Sequence, residues 1–322
     1  MIKTSMRINT KKEITAILAF LLLLTFSSCS RRSGGTLTFP EYPAMKIGFT
    51  TVNFMQAMPF TVESLEELMD YAAERGYQFI QLRDSRAELS SGDCQRLAAY
   101  ADSLGIEVIY EINVNLLHPE FREVFERGLD NTVIFGEPAI LRAPVANSEF
   151  EGRSPGTGWN IEELKEAVLL AEQSAEMAAD TGVRFIVENI VEPFFGEPPE
   201  YFGLYDLLKH ARKTGLQFDL SNAFSENAMM KADPEAVADF IAGLGDRWVT
   251  THVKTAVNGQ AMPVLGENPL PVEQVVRLMG INGVEYFSLE LAAVNDKKAC
   301  FDNHRSSIDY LMELGVLERV KP

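Results

Sequence analysis

Four side chains able to hold a metal ion stand at the ends of apolar, β-type runs in the second half of the chain. They are Glu188 in VENI, Asp219 in FDLSN, His252 in THVKT and Glu290 in SLELA. One such residue is ordinary, because a buried glutamate or histidine often satisfies a neighbour. Four on consecutive strands pose an electrostatic problem. Burying three carboxylates together costs several kcal/mol per charge or forces protonation, and a divalent cation removes the cost. Three carboxylates and one imidazole are mostly hard donors. They favour Mn2+, Mg2+ or Co2+, with Zn2+ also compatible. The alternative is a set of structural polar groups at the ends of the strands. His252 is one of four histidines and the one on an apolar β-type run. Lys254, two residues on, shares its strand face.

These positions need a scaffold that brings strand ends together. From residue 45 onward strand and helix alternate. Strands are expected at 45–53, 79–83, 106–114, 139–143, 183–190, 216–220, 248–255 and 284–291. The helix expected at 61–75 has Leu65, Leu68, Met69 and Ala72 on one face and is stopped by Gly76. Further helices are expected at 93–104, around 121–127, from the Asn160/Glu163 capping box to Gly182, and at 201–213. The last three are one capped by Asp233 with Pro234 first, one at 271–279 and one at 303–314. The remainder of 119–136 carries no clear pattern. Eight strand–helix pairs at this length imply a (β/α)8 barrel, whose chemistry sits at the C-terminal ends of the strands. A doubly wound open sheet is the alternative, but MKIGFTTVNF is not followed by a G-x-G-x-x-G turn.

Placed on those strands, the residues resemble the xylose isomerase-like TIM-barrel family, which also contains sugar phosphate isomerases and epimerases, inosose dehydratase and endonuclease IV. That family carries glutamate on strand five, aspartate on six, histidine on seven and glutamate on eight, where Glu188, Asp219, His252 and Glu290 stand. His252-Val253-Lys254 resembles the family's H-x-K, and Asp219-Leu220-Ser221-Asn222 resembles its D-x-x-[HN] turn. Gly266-Glu267 is similar to its glycine-bearing turn after strand seven. The likeness covers roughly residues 45–316. It implies one divalent metal ion beside a sugar, which acidifies the proton α to a carbonyl and leads to an enediolate. Glu188 and Glu290 are then the acid–base pair. Lys254 is expected to protonate or stabilise a developing alkoxide, or else to form an ion pair with a neighbouring carboxylate. Arg142 and Glu111 are candidates for substrate hydroxyls, and Asn189 and Asn222 for substrate binding or support of the metal ligands.

The first half departs from the family's better-known members. Strand two often ends in glutamate but here offers Gln81 and Arg83, and strand three often offers histidine but here has Tyr110, Glu111 and Asn113. The endonuclease IV branch uses several histidines. Here His118 falls in a loop and His210 and His304 on helices, and a net charge of −17 argues against nucleic acid as a partner. Strand eight runs into AAVNDKKA, without the glycine-rich turn that holds phosphate on barrels. A neutral, glycosidic or oxidised sugar is therefore favoured as the small-molecule partner.

The N-terminus reads differently. Lys3, Arg7, Lys11 and Lys12 precede an apolar stretch, 14–26, too short for a comfortable membrane span, and then Ser27-Ser28-Cys29. This resembles a bacterial lipoprotein signal. It implies cleavage after residue 28, lipidation of Cys29, and an exported envelope protein whose membrane contact is that anchor. Residues 29–43 read as the lipidated cysteine and a tether, and 44–322 as the barrel. Cys94 and Cys300 are expected to be unpaired packing residues. The Trp159 loop and Phe194-Phe195 are expected to cover the mouth or form a dimer contact, the oligomeric state being open. Three functions follow: an isomerase, epimerase or β-eliminating lyase acting by proton abstraction, a lipid-anchored carbohydrate-binding protein on a degenerate barrel, and a metal-dependent hydrolase.

Overall fold

The computed structural model describes residues 35–145, 158–190, 194–196, 202–224, 232–257 and 260–321. Its parallel strands are β1 (Lys46–Thr50), β2 (Phe79–Arg83), β3 (Glu107–Glu111), β4 (Ile140–Pro144), β5 (Arg184–Glu188), β6 (Gly215–Asp219), β7 (Trp248–Val253) and β8 (Tyr286–Leu289). They pair in sequence order, and β8 closes back on β1. The surrounding helices are α1 (Val62–Arg75), α2 (Ser91–Leu104), α3 (Phe121–Phe135), α4 (Ile161–Asp180), α5 (Leu204–His210), α6 (Pro234–Gly243), α7 (Val272–Ile281) and α8 (Lys297–Glu313). This is the (β/α)8 barrel that the alternation implies.

Most helix ends follow from local chemistry. Thr61 and the Asn160/Glu163 box cap their helices, Asp233 caps α6 ahead of Pro234, and Gly76 and Gly105 end α1 and α2 in the left-handed region. Three helices differ from expectation. The unassigned stretch after Arg127 continues α3 to Phe135, on a face where buried Asn131 and Thr132 interrupt the apolar stripe. Asn131 donates to the Tyr110 hydroxyl at 2.9 Å and Thr132 to the Gly128 carbonyl at 2.7 Å. α8 starts earlier, at Lys297, because Asp296 accepts from the Ala299 amide at 2.7 Å. α5 stops at His210, and the Arg247 guanidinium takes the Leu208 and Ala211 carbonyls at 2.8 Å each.

The barrel interior is layered. Phe79, Ile109, Ile140, Ile186, Val249 and Tyr286 form a separate apolar cluster that plugs its lower part. Gly48 makes room for it, since a Cβ there would lie 2.4 Å from the Phe79 carbonyl oxygen. Inward-facing positions recur every two residues, so the next row up is Gln81, Glu111, Arg142, Glu188 and Gln217, all buried. β7 reaches this row through an irregularity. Leu216 pairs with Trp248 but Gln217 pairs with Thr250, so Val249 is an extra residue. The bulge flips the parity of the strand, placing Thr250 and His252 inward above Val249.

Part of the segment read as a tether belongs to the fold. A strand at Thr36–Thr38 pairs antiparallel with Glu318–Val320, and Leu37 and Phe39 are fully buried. The Leu37 amide bonds the Gly76 carbonyl at 3.0 Å, which sets this strand against the N-terminal face of the barrel. Residues 1–34, including Cys29, lie outside the described residues. Cys94 and Cys300 are free and buried. Trp159 and Phe194 pack into the structure. Both are buried, Trp159 bridging the Phe202 backbone and Phe194 packing edge-on to Phe218 and Phe240. No helix among the described residues is long and apolar enough to cross a membrane.

Candidate active site

Glu188 closes β5, Asp219 closes β6, His252 lies near the end of β7 and Glu290 directly follows β8. One ligand atom from each lies within 4.8 Å of the others, and all four residues are buried. His252 Nδ1 is 2.9 Å from Glu188 Oε1 and 3.2 Å from Glu290 Oε2. Its Nε2 is 2.6 Å from Gln81 Oε1. An amide oxygen only accepts, so Nε2 carries a hydrogen. Nδ1 therefore turns either a proton or a lone pair toward two carboxylates and Gln217 Nε2, which lies at 3.3 Å, and a lone pair beside two carboxylates favours a cation among them. The donor set fits a divalent ion, with Gln81 holding the other imidazole nitrogen as metal-bound histidines are commonly held. The amide network continues. Gln81 Nε2 donates to Gln217 Oε1 at 2.6 Å, and Gln217 Nε2 lies 3.4 Å from Glu111 Oε1.

Basic side chains are woven through the same cluster. Lys254 Nζ lies 2.7 Å from Asp219 Oδ2 and 2.7 Å from Glu290 Oε2, which is the ion pair considered for it from sequence. Arg142 is fully buried, contacts Glu188 and donates to the Ile112 carbonyl at 3.1 Å. Arg83 Nε donates to Glu111 Oε2 at 3.2 Å, as does the Thr50 hydroxyl at 3.2 Å.

These contacts set protonation. Burial alone would raise Glu111 and Glu290, but Arg83 and Arg142 hold Glu111 below the usual carboxylate range, and Lys254 and His252 hold Glu290 well below it. Burial wins at Asp219, which is raised despite Lys254. Burial opposes the charge on His252, yet Glu290 and Glu111 raise it, and Asp219 and Glu290 raise Lys254 in the same way. Burial lowers Arg142 to about 10.

The two asparagines are engaged with backbone. Asn189 accepts from the Asp219 amide at 2.7 Å and donates to the Asp219 carbonyl at 3.0 Å. Asn222 donates to the Asn189 carbonyl at 2.8 Å. Asp219 Oδ1 accepts the amides of Ser221 and Asn222, both at 2.9 Å, which leaves Oδ2 facing the cluster. A matching clamp on Glu290 comes from residues that sequence reasoning passed over. Asn53 donates to the Leu289 carbonyl at 3.0 Å and accepts from the Leu291 amide at 2.8 Å, bracketing Glu290. The second hydrogen of its amide points to His304 Nε2 at 3.0 Å, and His304 Nδ1 meets the Tyr77 hydroxyl at 3.2 Å. His304 is thus a support for Asn53 rather than a ligand. Gln81 and Gln217 were likewise missed as a pair, and the available signal was their alternation with Phe79 and Gly215 on inward-facing strand positions.

The fold and this cluster define a class. The family model described as the xylose isomerase-like TIM barrel matches residues 69–313, and the chain belongs to that family. Within solved structures it is similar to D-psicose 3-epimerase from Clostridium cellulolyticum, at 14% identity, covering 84% of this chain and 99% of that one with a TM-score of 0.62. It is also similar to D-allulose 3-epimerase from Methylomonas sp., at 13% identity, 86% and 99% coverage and a TM-score of 0.61. A third is a sugar phosphate isomerase/epimerase from Parabacteroides distasonis, at 15% identity, 83% and 93% coverage and a TM-score of 0.58. At these identities the likeness is one of fold. Among curated proteins, histidine–tRNA ligases of Lactobacillus delbrueckii subsp. bulgaricus are 24% identical over 242 residues, 71% of this chain. The chain spans 50% of the length of those relatives.

Proposed function

We propose that the protein is a divalent-metal-dependent sugar isomerase or epimerase that removes and returns a proton α to a carbonyl. β-Elimination from a keto sugar begins with the same step. The observation that carries this reading is the convergence of Glu188, Asp219, His252 and Glu290 on one buried point at consecutive strand ends. The similar solved structures, two 3-epimerases and a sugar phosphate isomerase/epimerase, support it. The histidine–tRNA ligase match does not redirect it, since a net charge of −17 is poorly suited to a tRNA partner.

When bound, a Mn2+, Mg2+, Co2+ or Zn2+ ion supplies Lewis-acid polarisation of the sugar carbonyl. Asp219 and His252 hold the site in place, Asp219 Oδ1 fixed by the Ser221 and Asn222 amides and His252 Nε2 by Gln81. Glu188 and Glu290, both within 3.2 Å of His252 Nδ1, take the proton from the carbon and return it. Lys254 Nζ donates toward the oxygen that gains charge. Burial of Glu188, Asp219 and His252 at 1% exposure or less keeps bulk water from quenching the carbanion equivalent.

The test is wash-in of solvent deuterium at the carbon beside the carbonyl of ketohexoses, followed by NMR. Wild type is expected to exchange, and Glu188→Gln and Glu290→Gln each to slow exchange by about 10²–10⁴-fold. Full exchange in both variants contradicts the assignment. A second reading, a carbohydrate-binding protein without catalysis, is favoured by one observation. Arg142 contacts Glu188, and Lys254 bridges Asp219 and Glu290, so side chains alone offset two of these three carboxylate charges. It predicts sugar binding with no exchange at any carbon.

We also propose that the protein works in the bacterial envelope, anchored through Cys29. The basic, apolar and Ser-Ser-Cys segments of the N-terminus support this.

A further inference from the structure

The side chains of the site differ in what an arriving molecule meets. Those of Glu111, Glu188, Asp219, Arg142 and His252 are at most 1% exposed, whereas Arg83, Lys254 and Glu290 keep 11%, 12% and 12%. Among the described charged residues of the cluster, the accessible ones are therefore two cations and one carboxylate, in a chain of net charge −17. Lys254 is committed to Asp219 and Glu290. Arg83 is only partly committed. Its Nε serves Glu111, but its buried Nη2 makes no hydrogen bond and stands 3.9 Å from Glu290 Oε1. A buried donor left unsatisfied on a charged group is costly, so this one is poised for an acceptor.

Charge balance gives the sign of that acceptor. With the ion bound, His252 is a neutral ligand and Asp219 an ionised one, so Glu111, Glu188, Asp219 and Glu290 carry four negative charges, while Arg83, Arg142, Lys254 and the divalent ion carry five positive ones. A buried net charge is costly. A neutral sugar leaves the surplus and the free Nη2 in place. A phosphate monoester, at about −1.5 to −2, overshoots. A single carboxylate matches both the surplus and the planar guanidinium fork.

We propose that the substrate is an acidic sugar, a hexuronate or its ketose isomer, whose carboxylate is bound by the guanidinium nitrogens of Arg83 that Glu111 leaves free. This rests on the isomerase reading and narrows it from neutral or oxidised sugars to the carboxylate-bearing ones.

The test uses the full-length, metal-loaded protein with D-glucuronate, D-galacturonate, D-fructuronate and D-tagaturonate. Each is compared with its parent, D-glucose, D-galactose, D-fructose or D-tagatose, by calorimetry and by deuterium wash-in. At least one uronate is expected to bind more than about tenfold tighter than its parent, a difference of about 1.4 kcal/mol. Arg83→Gln should bring that ratio near one, the ratio being taken within the variant at equal metal loading so that any change common to uronate and parent cancels. Arg83→Lys should restore only part of it, because a point charge replaces the fork. Every uronate binding no tighter than its parent overturns the proposal, as does a preference untouched by Arg83→Gln or tighter binding of glucose 6-phosphate. Deuterium wash-in to the neutral ketoses in that case leaves the isomerase reading standing. A uronate preference that depends on Arg83, without wash-in to any sugar, sinks the isomerase reading and keeps the acidic-sugar site.

Discussion

At the scale of residues, the cluster depends on amide side chains as much as on its carboxylates and histidine. Asn53 joins both neighbours of Glu290 and is itself held by His304. Asn53→Ala should leave Glu290 free to turn. Metal affinity should fall by about 10–100-fold, the usual loss when a group that orients a ligand is removed. Competition with a chelator measures it, and an unchanged affinity would show that the clamp is dispensable. The cluster was legible in sequence because Glu188, Asp219, His252 and Glu290 announce their chemistry by residue type at the ends of apolar runs. Asn53, Gln81 and Gln217 do not. An uncharged amide has no preferred role until its partners are known, and Asn53 meets Leu289 and Leu291 only through closure of β8 on β1. His304 was placed on its helix from sequence, but its inward aim at Asn53 depends on how α8 packs.

At the scale of elements, the barrel tolerates little change where strands approach closely. A methyl group at Gly48 would sit 2.4 Å from the Phe79 carbonyl oxygen and 2.6 Å from its ring. Gly48→Ala should lower stability by about 1–3 kcal/mol through forced displacement of β2, read as a lower denaturant midpoint. An unaltered midpoint would mean that β1 and β2 separate freely. The caps at Asn160 and Asp233 and the glycine stops at Gly76 and Gly105 made most helix ends legible. α3 was obscured because Asn131 and Thr132 occupy buried positions, satisfied by Tyr110 and Gly128 that lie elsewhere in the sequence or a turn away. The bulge at Val249 was not legible either, since it is a property of the pairing between β6 and β7. Without it His252 would share the outward parity of Trp248.

At the scale of the whole molecule, His304 couples the fold to pH. It is fully buried against Phe49 and Phe54, and burial lowers its pKa from 6.5 to about 3. Below pH 6.5 the unfolded chain takes up a proton that the folded one refuses until about pH 3. The stability is therefore complete above pH 6.5 and is lost as pH falls toward 3, by up to about 1.4 kcal/mol per pH unit. His304→Gln should flatten the stability curve across that window in urea unfolding, and parallel curves would contradict it. The order of eight strands was readable because each βα pair is local. The strand Thr36–Thr38 was not, because its partner Glu318–Val320 is at the far end of the chain. That pairing sets the N-terminal segment at the face opposite the strand ends that carry the site. An anchor at Cys29 would then turn the mouth away from the membrane. Cys29→Ala should release the protein from the membrane fraction, and retention would count against the anchor.

The most direct measurement is the metal content of the purified protein after incubation with manganese, cobalt, magnesium or zinc and removal of free ion, beside His252→Ala. The account predicts about one divalent ion per chain in wild type and its loss in the variant. Wild type that retains no metal under any of these conditions would contradict it, and would leave Lys254 and Arg142 as the permanent counter-charges of a site that binds sugars without reacting with them.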